Sequence, residues 1–198
     1  MTGEQARHHC LDRLLNLRLI YLLIPMRWMW IDRIVELEKA TRIVTVKNVS
    51  LAEEVVHDHF AATDTRAAVP VLPNPLIVEG MAQTAGIMVG HARDFAEKVI
   101  LAKISKAIFH EAAMPGQTLR FSADMDRIDD AGAMTTGMVE VYDSHQGPDA
   151  ARKLADIELM FSHIDNNRSG LDFPEHNFVF TDQFMGLLER SGFGQDNA

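Results

Sequence analysis

Cysteine is almost missing from this 198-residue chain: Cys10 stands alone. No internal disulfide and no cysteine-based zinc site can form, which suits a reducing cytosol. Positive charge is also scarce, with 19 Lys and Arg against 28 Asp and Glu and a net charge of −9. Neutralising phosphates needs a basic surface, so the balance argues against a general nucleic-acid binder. A local basic patch facing an acidic protein partner stays open. Long apolar runs are absent too. Leu14–Ile24 is short and holds Asn16 and Arg18, and Leu76–Val89 is too short to span a bilayer and carries Glu79 and Gln83. No small-residue cleavage site follows the first run, so a secretory signal is not expected. The chain reads as cytoplasmic, with no membrane partner, no internal repeat and no low-complexity tract.

What is present is ordinary for a globular protein: 47% hydrophobic and 24% charged residues, enough for one domain with a core. Residues 1–26 read as a leucine-rich helical extension (Leu11, Leu14, Leu15, Leu19) ending at Pro25, with Met26 an alternative start. The body runs over 27–166, and 167–198 forms a tail with a short helix carrying Phe184, Leu187 and Leu188. Strands are expected at Thr41–Val49, rich in β-branched residues, and around Leu119, Phe121, Ala123 and Met125, which alternate with polar neighbours. The same alternation recurs at Ala155, Ile157, Leu159 and Phe161. Val99–Phe109 and Met134–Tyr142 are further candidates, with Pro115-Gly116 and Gln146-Gly147-Pro148 as turns. One helix is expected over Pro75–Lys98, with Asn74 as N-cap and Pro75 at its first position. Apolar or small residues cover nearly every side of it from Leu76 to Val89, so something must wrap it. The strands are the candidates. A curved antiparallel sheet around one buried helix is an α+β, hotdog-like fold.

Chemistry concentrates in His57-Asp58-His59-Phe60 and in the stretch Pro70–Gln83. Glu79 sits one turn inside the apolar helix, where a carboxylate is costly unless it is hydrogen-bonded or paired. Gln83, four residues on, shares its face and could orient it. The helix start offers backbone N–H groups to a developing oxyanion. A base, an acid and an oxyanion site suffice to remove water β to a carbonyl. His57-x-His59 alone is a weak metal signature, and no metal or cofactor is expected. Met81, Ile87 and Met88 read as core.

These segments resemble the signature of the β-hydroxyacyl–acyl carrier protein dehydratases, a hotdog family. Its pattern is His-Phe-Pro-Gly, then Pro-x-hydrophobic-Pro-Gly-Val-Leu, then Glu-(Ala or Gly)-Met-Ala-Gln. The likeness runs over about 27–164 and includes Ile31-Asp32-Arg33, Lys47-Asn48-Val49-Ser50 and Met114-Pro115-Gly116. It implies dehydration of a 3-hydroxyacyl thioester on acyl carrier protein to the trans-2-enoyl product in fatty-acid biosynthesis. It also implies His59 as base, Glu79 as acid, and Asn74, Leu76 and Gln83 on the substrate. The Asn74 backbone amide would polarise the thioester carbonyl. A homodimer, or a trimer of dimers, would place histidine and glutamate from different subunits in one site.

Three departures stand out. The Pro-Gly after His59-Phe60 is replaced by Ala61–Val69, spacing His59 and Glu79 20 positions apart (79 − 59). This insertion adjoins the base and could gate substrate, with Arg66 facing a carrier-borne phosphopantetheine. Asn74-Pro75 replaces Gly-Val. Around Phe109, basic flanks are missing, leaving Lys103 and Lys106 to dock a carrier. The alternatives are an acyl-CoA hydratase, a thioesterase, and a non-catalytic acyl-binding hotdog subunit.

Overall fold

The computed structural model describes residues 28–57, 59–164 and 179–194. The expected extension at 1–26 lies outside them. Six antiparallel strands form one sheet: β1 (Arg33–Glu38), β2 (Arg42–Asn48), β3 (Val99–Phe109), β4 (Gln117–Asp129), β5 (Gly132–Asp143) and β6 (Arg152–His163), in the order β1-β2-β4-β5-β6-β3. A short helix α1 (Glu54–His57), the long helix α2 (Asn74–Ala92) and helix α3 (Asp182–Ser191) complete the described elements. The sheet wraps α2, as the hotdog expectation requires.

Period-two patterning explains how each strand meets the helix. On β4, Leu119, Phe121 and Ala123 are buried, while Arg120 between them pairs with Glu140 of β5 at 2.7 Å. Helix α2 buries Ile77, Met81, Ala85, Ile87, Met88 and Val89, so it is apolar on every side because the sheet encloses it. Full burial of six such side chains is the main stabilising term here, at about 1.5–3 kcal/mol for each of the larger ones. Two features fix the helix in its groove. A Cβ on Gly80 would fall 2.7 Å from the Phe121 ring and 3.1 Å from the Trp30 carbonyl oxygen, so only glycine allows this approach. One turn on, the buried Thr84 hydroxyl lies 2.8 Å from the Gly80 carbonyl and 2.7 Å from the Thr45 hydroxyl of β2.

The helix differs from its expected limits at both ends. Its cap is Pro73, whose carbonyl accepts from Leu76 and Ile77, so Asn74 is the first helical residue and Pro75 the second. Its end comes at Ala92 rather than Lys98. There the Gly90 carbonyl accepts from both Arg93 and Phe95, and Asp94 and Phe95 turn the chain through positive φ. Packing of Phe95 on the Phe180 ring, 4.9 Å between centroids, holds this turn against its conformational cost.

Candidate functional site

Glu79 lies on α2 beside Gly80, where the helix packs against Phe121 of β4. Its Oε1 accepts from Gln83 Nε2 at 2.9 Å and from the Trp28 indole N–H at 3.1 Å. Gln83 is itself locked. Its Oε1 accepts the backbone N–H of Trp30 at 2.8 Å, which forces its amide nitrogen toward Glu79 and the Trp28 carbonyl, also at 2.8 Å. Trp28 stands edge-on to Trp30, 5.4 Å between centroids, and Lys47 lies over the Trp30 ring. Two donors on Oε1 leave Oε2 as the oxygen able to carry a proton. Among the described residues no donor meets it.

Glu79, Gln83, Ala82, Gly86 and Ile87 of α2 line a cleft of about 220 Å³ with Val99 and Leu101 of β3, Phe161 of β6, and Val179, Phe180 and Phe184. Apart from Glu79 and Gln83 its walls are apolar. A carboxyl held at the edge of an apolar cleft is what protonation of a leaving hydroxyl demands.

His59 sits elsewhere on the same chain. It is exposed, packs its ring 4.4 Å from that of Phe60, and borders a separate depression with Glu54, Val55, Pro73 and Leu76. The structure therefore brings His59 to Leu76 at the start of α2, and Gln83 to Glu79 one to two turns further along. Among the described residues, His59 and Glu79 line different clefts of the single chain. Asn74 is exposed at the helix start, and its N–H meets no acceptor among the described residues. Pro75 has no N–H, and Leu76 turns its own to Pro73, so Asn74 supplies the open amide of this turn. The Pro70–Pro73 stretch that sets this geometry is pinned where Leu72 N–H donates to the Ala113 carbonyl at 2.9 Å.

The segment Ala61–Val69 folds into a small closed turn. Thr63 and Arg66 pair backbone to backbone, and Val69 N–H returns to the Phe60 carbonyl at 2.9 Å. Arg66 lies over the Phe60 ring, 5.6 Å from its centroid, so the exposed stack runs His59, Phe60, Arg66. Near Phe109 several cations are already paired, while Lys103 forms no ion pair among the described residues. Lys106 meets Glu158, Arg152 meets Glu111, and Lys153 and then His110 hold the Asp156 carboxyl down at about 2. His57 and His59 gain no third ligand: among the described residues no three His, Cys, Asp or Glu side chains gather as a metal site. Likewise, among them no helix is long and apolar enough to cross a membrane.

Trp28 is the site residue that sequence reasoning missed. It lies 51 positions from Glu79, and only the Ile31-Asp32-Arg33 likeness nearby marked this stretch. Asp32 explains that likeness: its carboxylate accepts the Asn48 backbone N–H at 2.7 Å, fixing the segment ahead of β1 from which Trp28 and Trp30 reach the helix.

Comparison with known proteins identifies the family and the fold. A 3-hydroxyacyl-[acyl-carrier-protein] dehydratase FabZ of Symbiobacterium thermophilum is 36% identical over 124 residues, covering 61% of this chain and 83% of that protein. The FabZ of Desulforamulus reducens is 31% identical over 152 residues, 75% of this chain and 97% of that one. Among solved structures, the dehydratase heterocomplex ApeI:P from Xenorhabdus doucetiae superposes with a TM-score of 0.54 at 15% identity, over 73% of this chain and 89% of that chain. At that identity it speaks for the hotdog fold alone. The FabA-like domain model matches residues 24–148, more than half of the sequence. The chain belongs to the FabA-like family.

Proposed function

We propose that this protein is a 3-hydroxyacyl–acyl carrier protein dehydratase of fatty-acid biosynthesis, working in the cytoplasm. The observation that carries the reading is the Glu79 carboxyl, gripped through Oε1 by Gln83 and Trp28 at the edge of an apolar cleft. Neutral His59 removes the C2 proton, and Glu79 Oε2 gives its proton to the departing 3-hydroxyl. The C2–H electron pair becomes the C2–C3 double bond, and water leaves. The open Asn74 amide at the positive end of α2 suits the charge that builds on the thioester oxygen.

The reading requires two chains. Strand β3 is bonded to β6 along one edge, while Ile100, Leu101, Ile104 and Ile108 are 36–48% exposed. A long apolar edge strand is a template for pairing, and a second β3 is the partner proposed for it. In such a dimer His59 of one chain serves Glu79 of the other. Arg66, presented beside His59, is the cation proposed to meet the carrier's phosphopantetheine.

The test is the wild-type protein with 3-hydroxyacyl groups carried on acyl carrier protein and on CoA. Enoyl thioester should appear without release of free thiol, faster from the carrier. Thiol release would mark a thioesterase, and inertness toward every thioester would mark a non-catalytic acyl binder.

Trp28 and Gln83 act through Glu79. Trp28→Phe keeps an aromatic ring against Trp30 and removes the N–H donor. It should lower kcat by up to about tenfold, the scale of one lost hydrogen bond, with KM nearly unchanged. In a Glu79→Gln background the same change should cost almost nothing further, since interacting residues are not additive. Equal losses in both backgrounds would show that Trp28 is only packing.

A further inference from the structure

We infer that the C-terminal segment 179–191 forms a fixed end wall to the Glu79 cleft, so that Phe180 and Phe184 set the length of acyl chain accepted. The inference rests on the dehydratase reading.

The cleft follows one face of α2, from Glu79 through Gln83 to Gly86. Beyond Gly86 it meets Phe180. A Cβ on Gly90 would fall 2.2 Å from the Phe180 ring, so that ring lies directly on the helix there. Eleven residues separate Glu79 from Gly90, roughly 16 Å along the axis at 1.5 Å per residue. Phe180 is braced on its other side by Phe95. Phe184, in the first turn of α3, lines the same cleft.

The wall is anchored, not poised to open. Leu187 and Leu188 are buried, and the Ser191 hydroxyl accepts the Ile34 backbone N–H of β1 at 3.0 Å. At the end of α3, Gly192 turns left-handed, and Gly192 and Phe193 donate to the Glu189 and Leu188 carbonyls. The family match ends at residue 148, so this wall is built from chain beyond the matched domain. At this wall the open cleft of about 220 Å³ ends. A short or medium acyl group fits it, and a long one collides with the two phenylalanines.

The experiment compares wild type, Phe180→Ala and Phe184→Ala on 3-hydroxybutyryl, 3-hydroxyoctanoyl, 3-hydroxydodecanoyl and 3-hydroxyhexadecanoyl carrier protein. Wild type should fall off toward the longer chains. At least one variant should raise the kcat/KM ratio of hexadecanoyl to butyryl substrate by ~10-fold or more, the scale on which an apolar pocket discriminates by size. Phe180→Leu and Phe184→Leu serve where an alanine variant does not fold, with a smaller shift in the same direction. Active variants with the wild-type chain-length profile overturn the inference. The chain's two tryptophans, Trp28 and Trp30, both adjoin the Glu79 network, so fluorescence quenching by the same acyl series measures binding without turnover. If wild type dehydrates nothing, the dehydratase reading falls. Quenching still decides the wall, which is overturned if affinity depends on chain length identically in all three proteins.

Discussion

His59→Ala should lower dehydration by at least ~100-fold, the scale expected for losing a general base, while leaving the protein folded. Both halves follow from where His59 lies. Its ring is exposed and rests on Phe60, itself exposed, so truncation removes little packing. Surface changes of this kind stay within about 0.5 kcal/mol, and the melting temperature should hardly move. Among the described residues, His57 is held on α1, while His91 is partly buried on α2, where burial and then Lys39 disfavour its charged form. Turnover and thermal unfolding measured on the same preparation check the claim. A folded His59→Ala protein at near wild-type rate would sink the assignment.

The contact between Glu79 and Gln83 was legible because local sequence carries it. His59-Phe60, the proline frame and Glu79-x-x-x-Gln83 all state their spacing in the chain, and the structure keeps Gln83 on Glu79 as that spacing implies. The wrapped helix was legible for a similar reason, since an apolar surface on every side has no other stable home. Strand β2 announced itself by its β-branched residues, and β4 and β6 by alternation. Strand β1 did not, because Arg33, Glu36 and Glu38 interrupt its apolar residues on an edge position that buries only Ile34. The early end of α2 was hidden as well. Asp94 and Phe95 adopt positive φ with no glycine to advertise it, and the packing that holds them involves Phe180, far along the chain.

Two further features depend on contacts that no local pattern records. Trp28 finds Glu79 only once β1 and α2 are packed, and Phe180 finds the cleft only after the chain returns from β6. Strand β3 illustrates the same limit differently. Its range was readable, but whether Ile100, Leu101, Ile104 and Ile108 face a core or a second chain is a property of the sheet order. The exposure of that edge and the separate clefts of His59 and Glu79 share one cause in the proposed dimer, a site completed by a partner.

That cause predicts rescue between two dead proteins. His59→Ala and Glu79→Gln each remove one half of the reaction, so each homodimer should be nearly inactive. Glutamine at position 79 keeps an oxygen for the Trp28 and Gln83 donors but has no proton to give, so the fold and cleft should survive. Co-expressing the two with different tags and purifying on both isolates the mixed dimer. In a two-fold symmetric dimer with sites shared across the interface, one site of the mixed dimer receives both intact residues and the other receives both lesions. The mixed dimer should therefore recover about half of the wild-type rate. If each site lay within one chain, every site of the mixed dimer would carry one lesion, and no activity would return. Breaking the β3 pairing provides the companion measurement. Ile104→Lys should shift the protein toward monomer, because edge strands are blunted by charge, and activity should fall with the dimer fraction at each protein concentration. A fully active monomer, or a mixed dimer as inert as its parents, would return the base and the acid to a single chain.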